Sequence, residues 1–484
     1  MSHEPQTPGL LYPDSDWWRV LHKFERVAVL VCGVALIYLA ATESLEWIPF
    51  VAGVLGVLVV LLIRWPYGAL CMIMAAAAVP RYQLSISSWN AKPEHLTAAA
   101  CGLILLLRMW HGDQSWRKLQ KVDFLLLSFL VLSFFSSYVA SPDRAATLRW
   151  SLLMTFAMSP FFLIPQMVGT QEQLEKAMKL LLFVGAAEAL FGILCFLSYL
   201  LFGTELGVTF FFYLDFIPGV HGSQWEPNIF GSYCACFAVM FLFYYLAGGR
   251  TSGWYLAGFL VTTVGVLLSL ARQGWACLII VGAMVLLYHQ RRAKIQWKRL
   301  APIGVGILAT LLIGVSLMRD LPERLATLAV GQVSDDPTIL HRLKYLALAV
   351  EDIREHPIIG LGSSSFQLLY EDQDDLGVSA AWLGNLFMRV VHDTGIVGLF
   401  VFGWFLFELG RGAWRVLRPP SLLRNPAATA VGALSAGGLV MLIAYQLTDA
   451  SNLGFTWVHF GVLAAAVRIA VVHSRDAAGI PQRA

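Results

Sequence analysis

Long apolar runs alternate with short polar segments along this chain of 484 residues. Uncharged stretches of about 15 to 20 residues recur from Val27 to the C-terminus. As helices, such stretches cross the roughly 30 Å of hydrocarbon in a bilayer. The pattern therefore predicts about fourteen membrane spans. Their centres fall near residues 34, 56, 74, 102, 131, 158, 190, 237, 261, 280, 309, 398, 437 and 463.

The expected fold is an all-α polytopic membrane bundle of about 12 to 14 transmembrane helices, with a long outer loop that carries an amphipathic helix. The pattern divides the chain into five parts. These are a cytoplasmic N-terminal segment at 1–26, transmembrane helices one to eleven at 27–317, a large outer loop at 318–383, the last three transmembrane helices at 384–473, and a cytoplasmic tail at 474–484.

Basic residues concentrate in three of the polar segments, at 108–121, 289–299 and 411–424. Loops rich in lysine and arginine stay on the cytoplasmic side of a membrane. If the N-terminus is cytoplasmic, the alternation of spans puts all three basic segments on that side. Both termini are then cytoplasmic, and the remaining long loops face outward.

The outer loop at 318–383 contains a predicted amphipathic helix. Asp336 suits its N-cap, Pro337 its first position, and Pro357 its end. We expect this helix to lie flat on the outer surface of the bundle or membrane. Its predicted apolar stripe consists of Leu340, Leu343, Ala347, Val350 and Ile353.

The composition agrees with a membrane protein, because 58% of the residues are hydrophobic, 13% are charged and the mean hydropathy is +0.67. Soluble chains average about a quarter charged residues. No Gly-x-x-x-x-Gly-Lys-Ser/Thr loop or βαβ pattern supports a nucleotide-binding domain. The seven cysteines have neither an even count nor metal-ligand spacing. We therefore expect the function to lie in the membrane and on the outer face, without metal, cofactor or nucleic acid.

Two arginines on the predicted outer face are candidates for binding an anion. Arg272 lies between two apolar spans, where arginine is costly and usually paired or functional. Arg342 lies near the start of the amphipathic helix with His341 beside it, and a helix N-terminus attracts phosphate. The alternatives are a snorkelling side chain for Arg272 and a solvated helix face for Arg342.

A third candidate is the segment HGSQWEPN at 221–228, which leads into the eighth predicted span. His221 and Glu226 could act on a substrate, or Glu226 could simply cap the helix that follows. Glu188, midway along the seventh predicted span, could pair with a buried donor such as Arg149.

A polar stripe begins the twelfth predicted span. Asn385, Arg389 and His392 fall within about 60° of one another at about 100° per residue. Because lipid would reject such a stripe, it must line a substrate cavity or form a buried network with another span. Gly395 and Gly398 then permit a bend or close packing.

These segments, in this order, resemble the O-antigen ligase and O-antigen polymerase superfamily of bacterial membrane glycosyltransferases. The family has a signature that consists of His-Asn, nine further residues and Gly-x-x-Gly. The segment from Asn385 to Gly398 resembles this signature. The matching blocks are EPN at 226–228, SLARQG at 269–274, HRLKYLALAVEDIREHPIIGLGSSSF at 341–366, and Asn385 with Gly395 and Gly398.

The resemblance implies that Arg272 and Arg342 correspond to the two functional arginines of the family. One position departs from the pattern, because the ligases carry a histidine immediately before the asparagine and this chain has Gly384. The departure favours a polymerase over a ligase. His221, Glu226, His341 and His392 remain candidates for the general base.

The resemblance thus implies a polysaccharide polymerase at the outer face of the bacterial inner membrane. It would transfer glycan from a polyprenyl-diphosphate-linked oligosaccharide to a growing lipid-linked acceptor, alongside a chain-length regulator and a flippase. Three alternatives remain: an O-antigen ligase that transfers polysaccharide to lipid A-core, a lipid-linked oligosaccharide flippase, and a non-catalytic assembly partner. Flippases are usually built as two related halves, and no such internal repeat is visible here.

Overall fold

A computed structural model describes ten segments of the chain. The predicted spans near 34, 56 and 309 and the proposed cap Asp336 lie outside them. The described residues are 66–81, 84–86, 89–110, 116–211, 217–248, 252–293, 300–308, 337–370, 382–418 and 425–477.

The described residues form a bundle of helices with two short hairpins. The helices are α1 Pro66–Ala77, α2 Pro93–Trp110, α3 Lys121–Val139, α4 Arg144–Met158, α5 Pro160–Met167, α6 Gln171–Phe202, α7 Pro227–Ala247, α8 Ser252–Leu268, α9 Arg272–Ala293, α10 Pro337–Glu355, α11 Ser365–Tyr370, α12 Leu386–Leu417, α13 Pro426–Ala444 and α14 Gly454–Ala477. The antiparallel strands are β1 Leu84–Ile86 with β2 Trp89–Ala91, and β3 Val208–Phe211 with β4 Ile217–Val220.

Eight of the described helical segments are long and apolar enough to cross a membrane, counting α4 and α5 as one span. α1 and α8 contain shorter apolar helices. The predicted all-α polytopic membrane bundle is confirmed. The two hairpins lie in segments that the hydropathy pattern predicted only as loops, because strands this short carry almost no periodic signal.

α7 is the central helix of the bundle. Its apolar residues point in every direction, and 94% of its most apolar window is buried against neighbours that include α8, α9 and α13. α7 and α9 approach closely near their N-termini, where a Cβ added to Gly274 would lie 3.0 Å from the backbone of Gly231. These two glycines place the start of α9 directly against the start of α7.

α12 is kinked at Gly395, whose φ of 66° and ψ of −171° leave the helix. The segment 357–362 packs on the backbone exposed by this kink, and a Cβ added to Gly395 would lie 2.1 Å from the carbonyl oxygen of Ile358. The segment 357–362, with the pattern Pro-x-x-Gly-x-Gly, and Gly395 therefore form one structural unit. The joining backbone bonds are Leu361 N to His392 O, Gly362 N to Asp393 O and Ile396 N to Pro357 O, each 2.9 Å.

The described residues of the three basic segments lie at one end of the bundle. Lys121 Nζ lies 2.9 Å from Glu408 Oε1, which links the first segment to α12, and Arg411 also bonds Glu408. Arg292 donates to the carbonyl oxygen of Arg418 at 3.0 Å, which joins the second segment to the third. The N-termini of α7, α9 and α12 lie at the opposite end.

The amphipathic helix α10 has the predicted start at Pro337, and its last residue, Glu355, stands two before Pro357. Leu340 and Leu343 of the predicted apolar stripe are 51% and 56% exposed, so these two residues do not pack on the bundle, and contact of the stripe with the membrane stays a prediction. The opposite face carries the buried residues, and Asp352 on that face hydrogen-bonds α12. Its buried cluster is Tyr345 and Ala349 with Phe366 and Leu383.

Candidate functional site

Four segments that are far apart in sequence converge at the end of the bundle where α7, α9 and α12 begin. They are the starts of α7, α9 and α10, and residues 445–453 between α13 and α14, here called the 445–453 loop. We define the polar site as Glu226, Gln273, Arg342 and Thr448, one residue from each segment.

Hydrogen bonds connect Arg342, Thr448 and Gln273 of the polar site. Arg342 Nη2 donates to Thr448 Oγ1 at 3.3 Å, and that hydroxyl donates to Gln273 Oε1 at 3.2 Å. Gln273 Nε2 lies 3.3 Å from both the Asn228 carbonyl oxygen and Ser232 Oγ on α7. Gln273 therefore fixes Thr448, and through it Arg342, relative to the central helix.

Glu226 is the N-cap residue of α7 and precedes Pro227, which is the position that the sequence predicted for it. Its backbone is extended, with φ −150° and ψ 160°, and its side chain does not bond the backbone of the helix it caps. Burial raises the pKa of the Glu226 carboxyl, whereas the charge of Arg342 and a hydrogen bond with Asn228 oppose that shift. Glu226 and Arg342 therefore act on one another electrostatically.

Arg272 is the exposed first residue of α9, immediately before Gln273. The chain reverses just before it, and Leu270 adopts a left-handed conformation with φ 54°. A residue other than glycine is strained in this conformation, so the surrounding structure must stabilise the backbone of Leu270. The hydroxyl of Ser269 supports the turn by accepting from the backbone N–H of Ala271 at 3.2 Å.

Asn385 is the N-cap of α12, and its Oδ1 accepts from the backbone N–H of Met388 at 3.0 Å. Its Nδ2 donates to the Gln446 carbonyl oxygen of the 445–453 loop at 3.0 Å. Gly384 lies beside the same loop, since a Cβ added there would be 3.0 Å from the carbonyl oxygen of Leu447. The position where the ligases carry histidine therefore borders Thr448 of the polar site.

Arg389, the second residue of the predicted stripe, forms a buried ion pair. Its Nε lies 2.7 Å from Asp449 Oδ2, and its Nη2 donates to the hydroxyl of Ser451. The ring of Trp382 lies 5.8 Å from the guanidinium. Burial raises the pKa of Asp449, and the charge of Arg389 opposes the shift. Arg389 thus holds the 445–453 loop on α12.

His392, the third residue of the stripe, binds a different partner. Its Nε2 lies 2.9 Å from Asp352 Oδ2 on α10, and Tyr370 donates its hydroxyl to the same carboxylate at 3.0 Å. Asp352 is ten residues from Arg342 along α10, about 15 Å at 1.5 Å per residue. The stripe therefore serves three separate contacts, and His392 ties α10 to α12 away from the polar site.

His221 lies inside the turn that precedes Glu226 and is 1% exposed. Arg81 Nη1 lies 2.6 Å from its Nε2, and burial together with the Arg81 charge lowers the pKa of His221 to about 4. Glu188 pairs with a buried donor as predicted, and that donor is the backbone N–H of Ser223, 2.9 Å from Glu188 Oε1. Both groups support the turn.

His341 lies on α10 next to Arg342, and its side chain is outside the described residues. Two members of the polar site were not singled out from the sequence. Gln273 stood inside the SLARQG block, whereas Thr448 stands in the polar interruption QLTDAS between two apolar spans. That interruption was the available signal for the 445–453 loop.

The family model described as O-antigen ligase matches residues 257–403. The match includes Arg272, Arg342 and the stripe on α12, whereas Glu226 and Thr448 lie outside it. No curated protein matches the chain. Family members are glycosyltransferase-like enzymes of membranes, and the family suggests lipid-linked glycan substrates. The chain is a multi-pass membrane protein, and the match over residues 257–403 supports the O-antigen ligase and polymerase superfamily and indicates a glycan-processing function.

Proposed function

We propose that this protein is a polysaccharide polymerase, which transfers glycan from a polyprenyl-diphosphate donor to a growing lipid-linked glycan. The observation that supports it is the convergence of three family blocks, through Glu226, Gln273 and Arg342, at one end of the bundle. The described residues of the basic segments lie at the other end, and the positive-inside rule supports an outward orientation of the polar site.

The proposed reaction is a displacement at the first sugar of the donor. An acceptor hydroxyl attacks the anomeric carbon, and the bond from that carbon to the diphosphate oxygen breaks. The hydroxyl proton passes to the Glu226 carboxylate, and polyprenyl diphosphate leaves with the bonding electrons. Arg342 and Arg272 stabilise the negative charge that develops on the diphosphate, a role for which the planar guanidinium is suited. No metal or cofactor is required for this step.

Glu226 is the best placed of the four candidate bases. His221 is buried against Arg81, and His392 binds Asp352 about 15 Å along α10 from Arg342. Glu226 is partly buried beside Arg342, and its raised pKa brings it nearer to the range that suits a base at neutral pH. His341 stays a candidate substrate-binding residue next to Arg342, as does Asn385 beside the 445–453 loop.

An O-antigen ligase is the second candidate, because the matching family model carries that description. The residue at 384 favours the polymerase instead. In the ligases a histidine there is the candidate base or acceptor-orienting group, and this chain offers Gly384 at the edge of the polar site. A lipid A-core acceptor would then lack the group that orients it.

The test uses purified protein in lipid nanodiscs with polyprenyl-diphosphate oligosaccharide, a chelator, and no nucleotide sugar or ATP. We expect a ladder of repeat lengths that is absent for Arg342→Ala. Addition of one preformed chain only when lipid A-core is supplied would identify a ligase. Translocation of the lipid without a new glycosidic bond would identify a flippase, and loss of activity with the chelator would contradict metal independence.

A second experiment tests the proposed orientation in the inner membrane, with both termini cytoplasmic. Single cysteines at Gln290 and Gln332 are introduced into a cysteine-free variant and labelled with an impermeant reagent. We expect labelling from outside at 332 and from inside at 290. Outside labelling at 290 would place the basic end, and not the polar site, on the outer face.

A further inference from the structure

Trp225 stands immediately before Glu226 of the polar site. Its side chain is 40% exposed although the residues around it are largely buried. Lys92 Nζ lies 5.5 Å from the ring centroid, and Lys92 itself is only 9% exposed. A cation over an indole face is attracted by the ring quadrupole, so Lys92 fixes one face of Trp225.

The backbone that carries Trp225 is firmly anchored. Ser223 Oγ and Gln224 Nε2 both donate to the Ala78 carbonyl oxygen at 2.8 Å, and Ser223 N donates to Glu188 at 2.9 Å. Arg81 binds His221 in the same turn. The ring therefore has a preset position, which lowers the entropy lost when a ligand binds it.

Lys92 belongs to the same framework as the polar site. Glu94, two residues later, accepts at its Oε1 from the backbone N–H of Gly454 at 3.1 Å, at the end of the 445–453 loop. Thr448 of that loop binds Arg342. The ring of Trp225 and the guanidinium of Arg342 are thus held by elements that contact one another directly.

We propose, on the basis of the polymerase function above, that Trp225 is the platform for the acceptor sugar. One ring face is held by Lys92, and the other stacks on the apolar C–H face of the sugar. Because the neighbouring residue is the proposed base Glu226, the sugar on this platform is the one whose hydroxyl attacks. Trp225 is then a specificity residue, and Lys92 is its positioning residue. The competing role for an exposed tryptophan is anchoring to lipid headgroups.

The test measures binding apart from turnover. The probe is the lipid-free oligosaccharide of one repeating unit, and saturation-transfer NMR reports its binding to the full-length protein in nanodiscs. We expect Trp225→Leu to weaken binding by about tenfold, and Trp225→Phe and Lys92→Gln to weaken it less. Trp414→Leu is the matched control, because Trp414 is 64% exposed on α12 toward the basic end. Its binding should equal that of the wild type.

Unchanged binding in folded Trp225→Leu, or no binding by the wild type, would overturn the platform. Kinetics then separate acceptor from donor: Trp225→Leu should raise KM for the lipid-free acceptor and leave KM for the lipid-linked donor unchanged. A rise in the donor KM alone would overturn the acceptor assignment. If Trp225→Leu loses binding but the wild type makes no polymer, the platform stands and the polymerase proposal fails.

Discussion

Arg342 and Arg389 lie at the same end of the bundle, and each interacts with one carboxylate and with one hydroxyl of the 445–453 loop. Arg389 is buried and forms an ion pair with Asp449 at 2.7 Å. Its guanidinium also donates to Ser451 and lies against the ring of Trp382. Arg342 is partly exposed, bonds Thr448 at 3.3 Å, and interacts with the charge of Glu226.

Residue type alone therefore does not separate a structural arginine from one able to bind substrate. The Arg389–Asp449 ion pair is buried, so its charges compensate one another and are shielded from an incoming ligand. A partly exposed guanidinium retains access to an incoming diphosphate, and it sits in an environment where charge is screened less than in water. Four predictions test this difference.

The largest expected effect is on stability, from Arg389→Ala. The substitution leaves Asp449 as an uncompensated buried charge, which typically costs about 3–5 kcal/mol. Thermal unfolding in nanodiscs should show a strongly lowered Tm, with loss of activity following from loss of fold. The double variant Arg389→Met with Asp449→Leu removes both charges and should be less destabilised. A normal Tm for Arg389→Ala would mean that the ion pair does not hold the 445–453 loop.

Arg342→Ala should instead lose activity while the fold persists. Removal of one preorganised donor from a developing charge typically lowers the rate about 10²–10³-fold. Arg272→Ala should behave in the same way, and lysine at either position should rescue poorly because it lacks the planar fork. Arg354→Ala is the matched control, an exposed arginine on the same helix α10. Near-normal polymer from either site variant would remove that arginine from the mechanism.

Glu226→Gln should lower the rate about 10²-fold or more and change its dependence on pH. The carboxylate is the active form, so wild-type activity should fall as pH drops through the raised pKa of Glu226, and this acid limb should vanish in the variant. Glu205→Gln, at an exposed position, serves as the control. An acid limb that survives in Glu226→Gln would assign the base to another residue.

The smallest effect is expected from His392→Ala, which removes the link between α12 and Asp352. The unsatisfied carboxylate and its Tyr370 bond should cost about 1–3 kcal/mol of stability. Folded protein should still make polymer, because His392 lies away from the polar site. Gly384→His should not rescue the variant, since position 384 borders Thr448 and not Asp352. Lost activity with unchanged Tm would return His392 to the site.

Much of the fold was predictable because hydropathy acts locally. A span must be apolar over its own length wherever its neighbours lie, so the centres near 190, 237, 437 and 463 fall within α6, α7, α13 and α14. The bounds of α10 followed from prolines that restrict their own backbone. The position of the basic segments at one end of the bundle followed from the alternation of successive spans between the two sides of the membrane.

The family blocks pointed to Arg272, Arg342 and Glu226, but their roles depended on partners that the sequence did not pair. The helical spacing of polar residues predicted the stripe on α12. It did not predict that the three residues of the stripe bind three different partners, Gln446, Asp449 and Asp352. Periodicity specifies which side chains share a face and carries no information about the group that meets them.

Sequence pattern was thus enough to predict a polytopic helical membrane bundle, the amphipathic helix α10 and the polar residues that needed burial or a ligand. Tertiary structure alone decided that α10 docks through Tyr345 and Asp352, and that Thr448 bridges Arg342 to Gln273. The two kinds of interaction act over different distances along the chain. Hydrophobic burial is set residue by residue, whereas a hydrogen bond or ion pair requires two groups within a few ångströms, and only the packing of distant helices supplies that distance.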